Sequence, residues 1–306
     1  MDDLWTEKHR PLDLDTLVLS PSIREKIRTW IADKSIPHLF LFGPVGTGKT
    51  TLAKIIINAL DAVCLVLNAS DERGIDAVRT RISDFAQAKA VMGKTKIIFL
   101  DEADRLTWEA QDALRNIMET YSQTTRFILS GNVEGRITDA LRSRCTPIEF
   151  GTPDREEIFK RLTSILDSEE VKYDETDVKH IISAYYPDIR SMVKMLQDSS
   201  VEMADGNGKG TMCMLSLPHF TELADDIIEA LCCCNHKKAR ELSKTREKVL
   251  IFRLLYDRID AFPKESRGAI LSLIGEHLYR HAFIPDKEIN FAYFAYRVAN
   301  VLKDFV

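Results

Sequence analysis

The chain has 306 residues, with 42 Lys or Arg against 47 Asp or Glu, a formal net charge of −5, 45% hydrophobic and 29% charged residues. This describes a globular chain of two or three domains with ample core, and no apolar run nears the ~18 residues of a membrane span. The charge excludes broad, avid nucleic-acid binding: residues 1–150 hold 20 basic and 21 acidic residues, and 151–306 hold 22 and 26. Any DNA contact must be local, or be pooled by several copies.

The start, Met1 to Trp5, is acidic and has no apolar core of a secretory leader, so a cytoplasmic protein without membrane partners is expected. Short β-branched or aromatic runs then fall at 38–42, 62–67, 96–100, 126–130 and 146–150, separated by helical patterns. Such alternation predicts a parallel α/β sheet. Thr107 is placed to cap a helix in which Ala110, Leu114, Ile117, Met118 and Tyr121 recur at helical spacing. After Gly151-Thr152-Pro153 the strands are expected to stop. Helices are expected over 154–167, 175–185 and 188–203, then a linker at Asp205 to Gly210, then only helices over 219–304. The six cysteines lack zinc spacing and predict reduced thiols.

The first strand runs into Gly43-Pro44-Val45-Gly46-Thr47-Gly48-Lys49-Thr50-Thr51, which fits G-x-x-x-x-G-K-[ST] between a strand and a helix. Glycines let backbone N–H groups turn around phosphates, and the helix N-terminus favours an anion. Lys49 is expected on the β- and γ-phosphates, and Thr50 on magnesium. The third strand ends in Leu100-Asp101-Glu102-Ala103-Asp104. Asp101 is expected to hold the metal shell and Glu102 to polarise water, since successive residues at a strand end point to opposite sides. The two motifs together point to hydrolysis of a nucleoside triphosphate on magnesium.

Three further features are weaker alone. Ser130-Gly131-Asn132 closes the fourth strand, where an amide is placed to sense the γ-phosphate or position water, although Asn also favours turns. Arg142 and Arg144 flank a serine before the last strand and, taken alone, read as surface charge. In Pro187-Asp188-Ile189-Arg190, Asp188 suits a helix N-cap, while Arg190 in the first turn opposes the helix dipole and so favours a ligand role.

The order Trp5-Thr6-Glu7-Lys8-His9-Arg10-Pro11, the glycine loop, Asn68-Ala69-Ser70-Asp71-Glu72-Arg73-Gly74, Phe99 to Thr107, Ala110 to Glu119, Ser130-Gly131-Asn132 and Ser143-Arg144-Cys145 resembles the small subunits of replication factor C. It also resembles the ATPase subunit of T-even phage sliding-clamp loaders. The specific motifs run to about residue 200, and His9 stands where the family has Tyr.

The resemblance implies an AAA+ P-loop domain with a five-stranded parallel sheet over 1–151, a helical lid over 152–205 and an all-helical collar over 211–306 that oligomerises. It implies ATP and Mg²⁺ as cofactors, with Glu7, Arg10 and Pro11 framing the base, Asn132 as first sensor and Arg190 as second. Arg144 becomes an arginine finger reaching a neighbouring subunit's ATP, with Lys49, Glu102 and Asn132 completing the catalytic set. Arg73, Arg79 and Arg81 become contacts to DNA phosphates, which carry no base information. The expected partners are the other subunits of a pentameric assembly, a ring-shaped sliding clamp met by helix 107–121, and primer–template DNA bound without sequence preference. The implied activity is a DNA-stimulated ATPase that loads the clamp. The rivals are another AAA+ DNA machine, such as a helicase loader or branch-migration motor, and a structural subunit that binds ATP without hydrolysing it.

Overall fold

A computed structural model describes residues 4–70, 75–88, 94–204, 211–215, 220–244, 248–281 and 283–303. The elements run α1 (Trp5–Lys8), α2 (Pro21–Ala32), β1 (Leu39–Phe42), α3 (Lys49–Ala59), β2 (Val63–Asn68), α4 (Ile75–Gln87), β3 (Lys96–Asp101), α5 (Trp108–Thr120), β4 (Thr125–Gly131), α6 (Asp139–Arg142) and β5 (Thr146–Glu149). They continue through α7 (Arg155–Ser168), α8 (Glu175–Tyr185), α9 (Ile189–Ser199), β6 (Ser200–Ala204), β7 (Thr211–Leu215), α10 (Phe220–Cys232), α11 (His236–Ser243), α12 (Lys248–Asp257), α13 (Arg267–His281) and α14 (Lys287–Leu302).

The first five strands form one sheet in the order β2-β3-β4-β1-β5, all parallel. Its central strands are apolar on both faces, as helical crossovers on both sides require. The period-2 pleat divides β3: Ile98 and Leu100 join Phe40, Phe127, Leu129, Leu114 and Met118 on one side. Ile97 and Phe99 join Leu39, Leu41, Ile128, Leu52 and Ile56 on the other. Thr107 caps α5 by accepting from the Ala110 N–H at 3.3 Å, in agreement with its sequence.

The chain divides into two compact units, Met1–Lys172 with Tyr186–Asp198, and Tyr173–Tyr185 with Ser199–Val306. The first holds the sheet and adds α7 and most of α9; the second holds α8, a hairpin and α10–α14. The core of the second is Phe252, Phe291 and Phe294 with Ile227, Leu231, Leu255, Ile270 and Leu302. His277 and Asn290 tie α13 to α14, with Nδ1 of His277 2.8 Å from Oδ1 of Asn290 and the Asn290 amide donating to the His277 carbonyl at 2.9 Å.

Strands do not end at residue 153, as the sequence pattern led one to expect. The helical pattern read over 188–203 stops at Ser199, and β6 pairs antiparallel with β7, Ser200 opposite Leu215 and Ala204 opposite Thr211. The apolar residues of this stretch (Val201 and Met203, Met212 and Met214) stand at period 2, which is strand spacing. The expected linker Asp205 to Gly210 lies outside the described residues. No helix among the described residues is long and apolar enough to cross a membrane.

Candidate nucleotide site

The loop from β1 into α3 leaves the sheet where β1 lies between β4 and β5, the reversal of strand order at which open α/β sheets bind ligands. Gly43, Gly46 and Gly48 have φ of 138°, 74° and 105°, a region that side chains rarely tolerate. A Cβ on Gly43 would lie 2.2 Å from the Phe150 carbonyl oxygen, and one on Gly46 would lie 1.7 Å from Oδ1 of Asp188. These close approaches shape a backbone cradle of the kind that phosphate groups need. The Thr47 hydroxyl pins it by donating to the Pro44 carbonyl at 2.8 Å.

Lys49 opens α3 and is nearly buried. Its ammonium donates to the carbonyls of Gly43 at 2.8 Å and Pro44 at 2.7 Å, so the cation stays at the loop. Burial lowers its pKa, against the pull of Asp101 and Asp104. The next residue, Thr50, donates to the Asp101 carboxylate at 3.0 and 3.1 Å. A hydroxyl and a carboxylate this close are hard oxygen ligands, and they suit Mg²⁺, which takes few protein ligands and keeps waters and phosphate oxygens. Both residues therefore fit the metal, and the loop fits the phosphates.

Glu102 has φ 57° and ψ 39°, a left-handed conformation that opens a short 3-10 turn. This backbone turn separates its carboxylate from Asp101, in place of the strand alternation expected from sequence. Such a conformation is costly for a residue with a Cβ and recurs at functional sites. The Glu102 N–H donates to Ser130 Oγ at 3.0 Å, and its carboxylate accepts from Arg105 Nε at 3.0 Å and from the Ser70 hydroxyl. Ser130 also donates to Asp101, so β4 joins both acidic residues. Beyond it, Asp104 accepts from the N–H groups of Asn132 at 3.1 Å and Val133 at 3.3 Å, fixing the turn that carries Asn132.

These residues open on one cavity of about 320 Å³, within the range of small-ligand sites. Val45 to Thr51, Asp101, Glu102, Asn132, Arg10, Pro11 and Arg190 line it. Gly43 and Pro44 lie behind, as partners of Lys49. Glu7 is not among the lining residues; it is exposed and held by Arg10, whose hydrogen bond is the main cause lowering its pKa. Arg190 is exposed on the first turn of α9, which Asp188 caps by accepting from the Ser191 N–H at 3.1 Å.

Arg144 is outside the cavity lining, donating to the Ala140 carbonyl at 2.7 Å and pairing with Glu119. Arg142 is held by Glu134 at 3.1 Å and Asp139 at 2.5 Å. Among the DNA candidates, Arg81 is exposed on α4, Arg79 is described only by its place in α4, and Arg73 lies outside the described residues.

Sequence reasoning missed Trp5, Thr6, Arg105, Ser130, Arg161, Ile165 and Val193, all of which line the cavity, as does His9 within the expected Glu7 to Pro11 segment. One signal was available. Arg161 shares the apolar face of α7 with Ile158, Leu162 and Ile165, and a cation in an apolar stripe marks a polar duty. Burial lowers its pKa, and it donates to the His9 carbonyl.

Residues 39–152 match the family model described as ATPase family associated with various cellular activities. A replication factor C small subunit from Sulfurisphaera tokodaii is 36% identical over 94% of this chain and 92% of its own length. One from Archaeoglobus fulgidus is 38% identical over 78% of this chain and 77% of its own. A solved structure of Thermotoga maritima RuvB superposes with a TM-score of 0.54 at 18% identity, over 89% of this chain and 80% of that one, a likeness of fold alone. With this extent of identity to such relatives, and with a phosphate loop and paired acidic residues on one cavity, the chain belongs to the replication factor C small-subunit family of AAA ATPases.

Proposed function

We propose that the chain is an ATPase subunit that drives the loading of a ring-shaped sliding clamp onto primer–template DNA. The observation that carries this reading is the convergence of Lys49, Thr50, Asp101, Glu102 and Asn132 on one cavity, in a chain similar to replication factor C small subunits over most of its length. ATP would lie with its phosphates on Gly46 to Thr50 and its base towards Arg10 and Pro11. Thr50 and Asp101 would hold Mg²⁺, which when bound neutralises charge on the phosphates. Glu102 orients and polarises the attacking water, Asn132 steadies it, and Arg190 meets the phosphates from the lid.

Arg144, outside the cavity of its own chain, serves as the arginine finger of a neighbouring subunit's site. Hydrolysis is then conditional on assembly, consistent with a pentamer joined through a collar over 211–306 whose helices begin after the strand Thr211–Leu215, with a lid assigned to 152–205 and the ATPase domain to 1–151. Arg73, Arg79 and Arg81 would touch phosphates from inside the ring, so that DNA is read by shape. The net charge of −5 fits a design in which each copy offers few cations. The work would be done in the cytoplasm.

The test is steady-state ATPase of the assembled protein with and without primed DNA and a sliding clamp. Stimulation should need both, and charge reversal at Arg79 and Arg81 should weaken it and flatten its salt dependence. DNA stimulation that ignores the clamp would favour another AAA+ DNA machine, and absence of turnover would favour a structural ATP-binding subunit.

A further inference from the structure

The segment around α1 is bound to α7 and α9 by contacts that phosphate chemistry does not use. A four-residue helix has no stability of its own, so its place is imposed. The Trp5 N–H donates to Oε1 of Gln197 at 2.9 Å, and Arg161 donates to the His9 carbonyl. Glu169 grips the segment twice, accepting from Lys8 Nζ at 2.9 Å and pairing with His9 Nε2.

Glu169 is poorly placed on local grounds. It is the C-cap of α7, at the negative end of the helix dipole, and its side chain is only 14% exposed. Burial alone would raise its pKa, yet hydrogen bonds from Lys8 and His9 bring it below the ordinary carboxylate value. The partners that reverse the burial effect stand 160 and 161 residues away in sequence. One of them, His9, lines the cavity and packs edge-on to Trp5 with ring centroids 6.2 Å apart. Arg161 holds the backbone of His9, while Trp5 packs against its ring and Glu169 makes the polar contact that aims it.

We propose that Glu169 is a positioning residue for the nucleotide base: by holding Lys8 and His9 together it fixes the His9 ring in the cavity wall, so that contacts to the base depend on it and contacts to the phosphates do not. This inference rests on the nucleotide reading of the cavity.

Inorganic tripolyphosphate carries a phosphate chain without a base, and it separates the two halves of the site. Competition of ATP and of tripolyphosphate against a fluorescent ATP analogue on the full chain supplies the measurement. In Glu169→Ala, ATP affinity should fall about fivefold to tenfold, with tripolyphosphate affinity unchanged. Glu169→Gln, which keeps an acceptor without the charge, should show the same split at smaller size, and it carries the test if the alanine variant does not fold. Equal loss of both ligands, or loss of neither, overturns the proposal. Failure of the wild-type chain to bind either ligand is a different result, because it removes the nucleotide reading and this inference with it.

Discussion

The carboxyl end of the sheet and the core of the second unit hold their shape by different means. At the carboxyl end of the sheet, three glycines and Glu102 take positive φ, and hydrogen bonds join Thr50, Asp101, Ser130 and Glu102. In the second unit, Phe252 meets Phe294 edge-on at 4.9 Å and Phe291 at 5.7 Å between centroids, inside a shell of aliphatic side chains. The first region is specified by backbone conformation and by particular polar atoms, the second by filled volume. A conservative change in the first should therefore alter chemistry while sparing the fold. A truncation in the second should alter the fold and leave the chemistry of the other unit in place.

The largest effect expected is at Arg144. If it acts on a neighbour's nucleotide, Arg144→Ala should bind ATP normally while kcat of the assembly falls about 10³- to 10⁵-fold. Mixing it with Lys49→Ala should regain turnover, because some interfaces then pair an intact phosphate loop with an intact finger. Full activity of the Arg144 variant alone would shift the role to Arg142. Next comes Phe252→Ala, which removes a fully buried ring and should cost about 3–5 kcal/mol in denaturant unfolding of the second unit. ATP binding to the first unit should persist, and its loss in parallel would erase the contrast between the two.

Glu102→Gln sharpens the comparison from the other side. Its shape is conserved and the Thr50–Asp101 pair is untouched, so ATP binding should persist while hydrolysis falls about a hundredfold or more. Normal turnover would remove Glu102 from the water-polarising role.

The smallest effect concerns a side chain in the first unit. Burial, reinforced by Arg126, pushes the His38 imidazole from 6.5 down to about 4, and its neutral Nδ1 accepts from the Phe127 N–H at 3.1 Å. The unfolded chain takes up that proton first, so the contribution is complete above the ordinary value of 6.5 and is lost as pH falls towards 4. The loss should be about 1–2 kcal/mol, given the partial exposure of the ring. His38→Asn, which keeps an acceptor, should flatten the stability profile between those pH values; an unchanged slope would assign it to other groups.

The same contrast governs what could be read in advance. The five strands of the sheet were legible because their runs are apolar and bounded by turn residues, and the glycine loop because few residue types tolerate its backbone. The turn at Glu102 was not, since nothing in its neighbours demands φ 57°. The hairpin of β6 and β7 was missed because residues 188–203 also fit a helical stripe, and pairing across strands is invisible in one segment. Arg161 and Val193 stand on different helices far from the glycine loop in sequence, and only folding brings them to its cavity.

The Arg144–Glu119 pair bears on how a free subunit becomes a working neighbour. Both side chains are partly open to solvent, at 32% and 48%, and an ion pair so placed contributes at most about 1 kcal/mol. If Arg144 is the finger of a neighbouring site, Glu119 would act as a parking place, holding the guanidinium in one orientation and releasing it to a stronger anion at little cost. On that reading little free energy is lost in the exchange, and Arg144, steadied as well by the Ala140 carbonyl at 2.7 Å, would be oriented before the subunits meet.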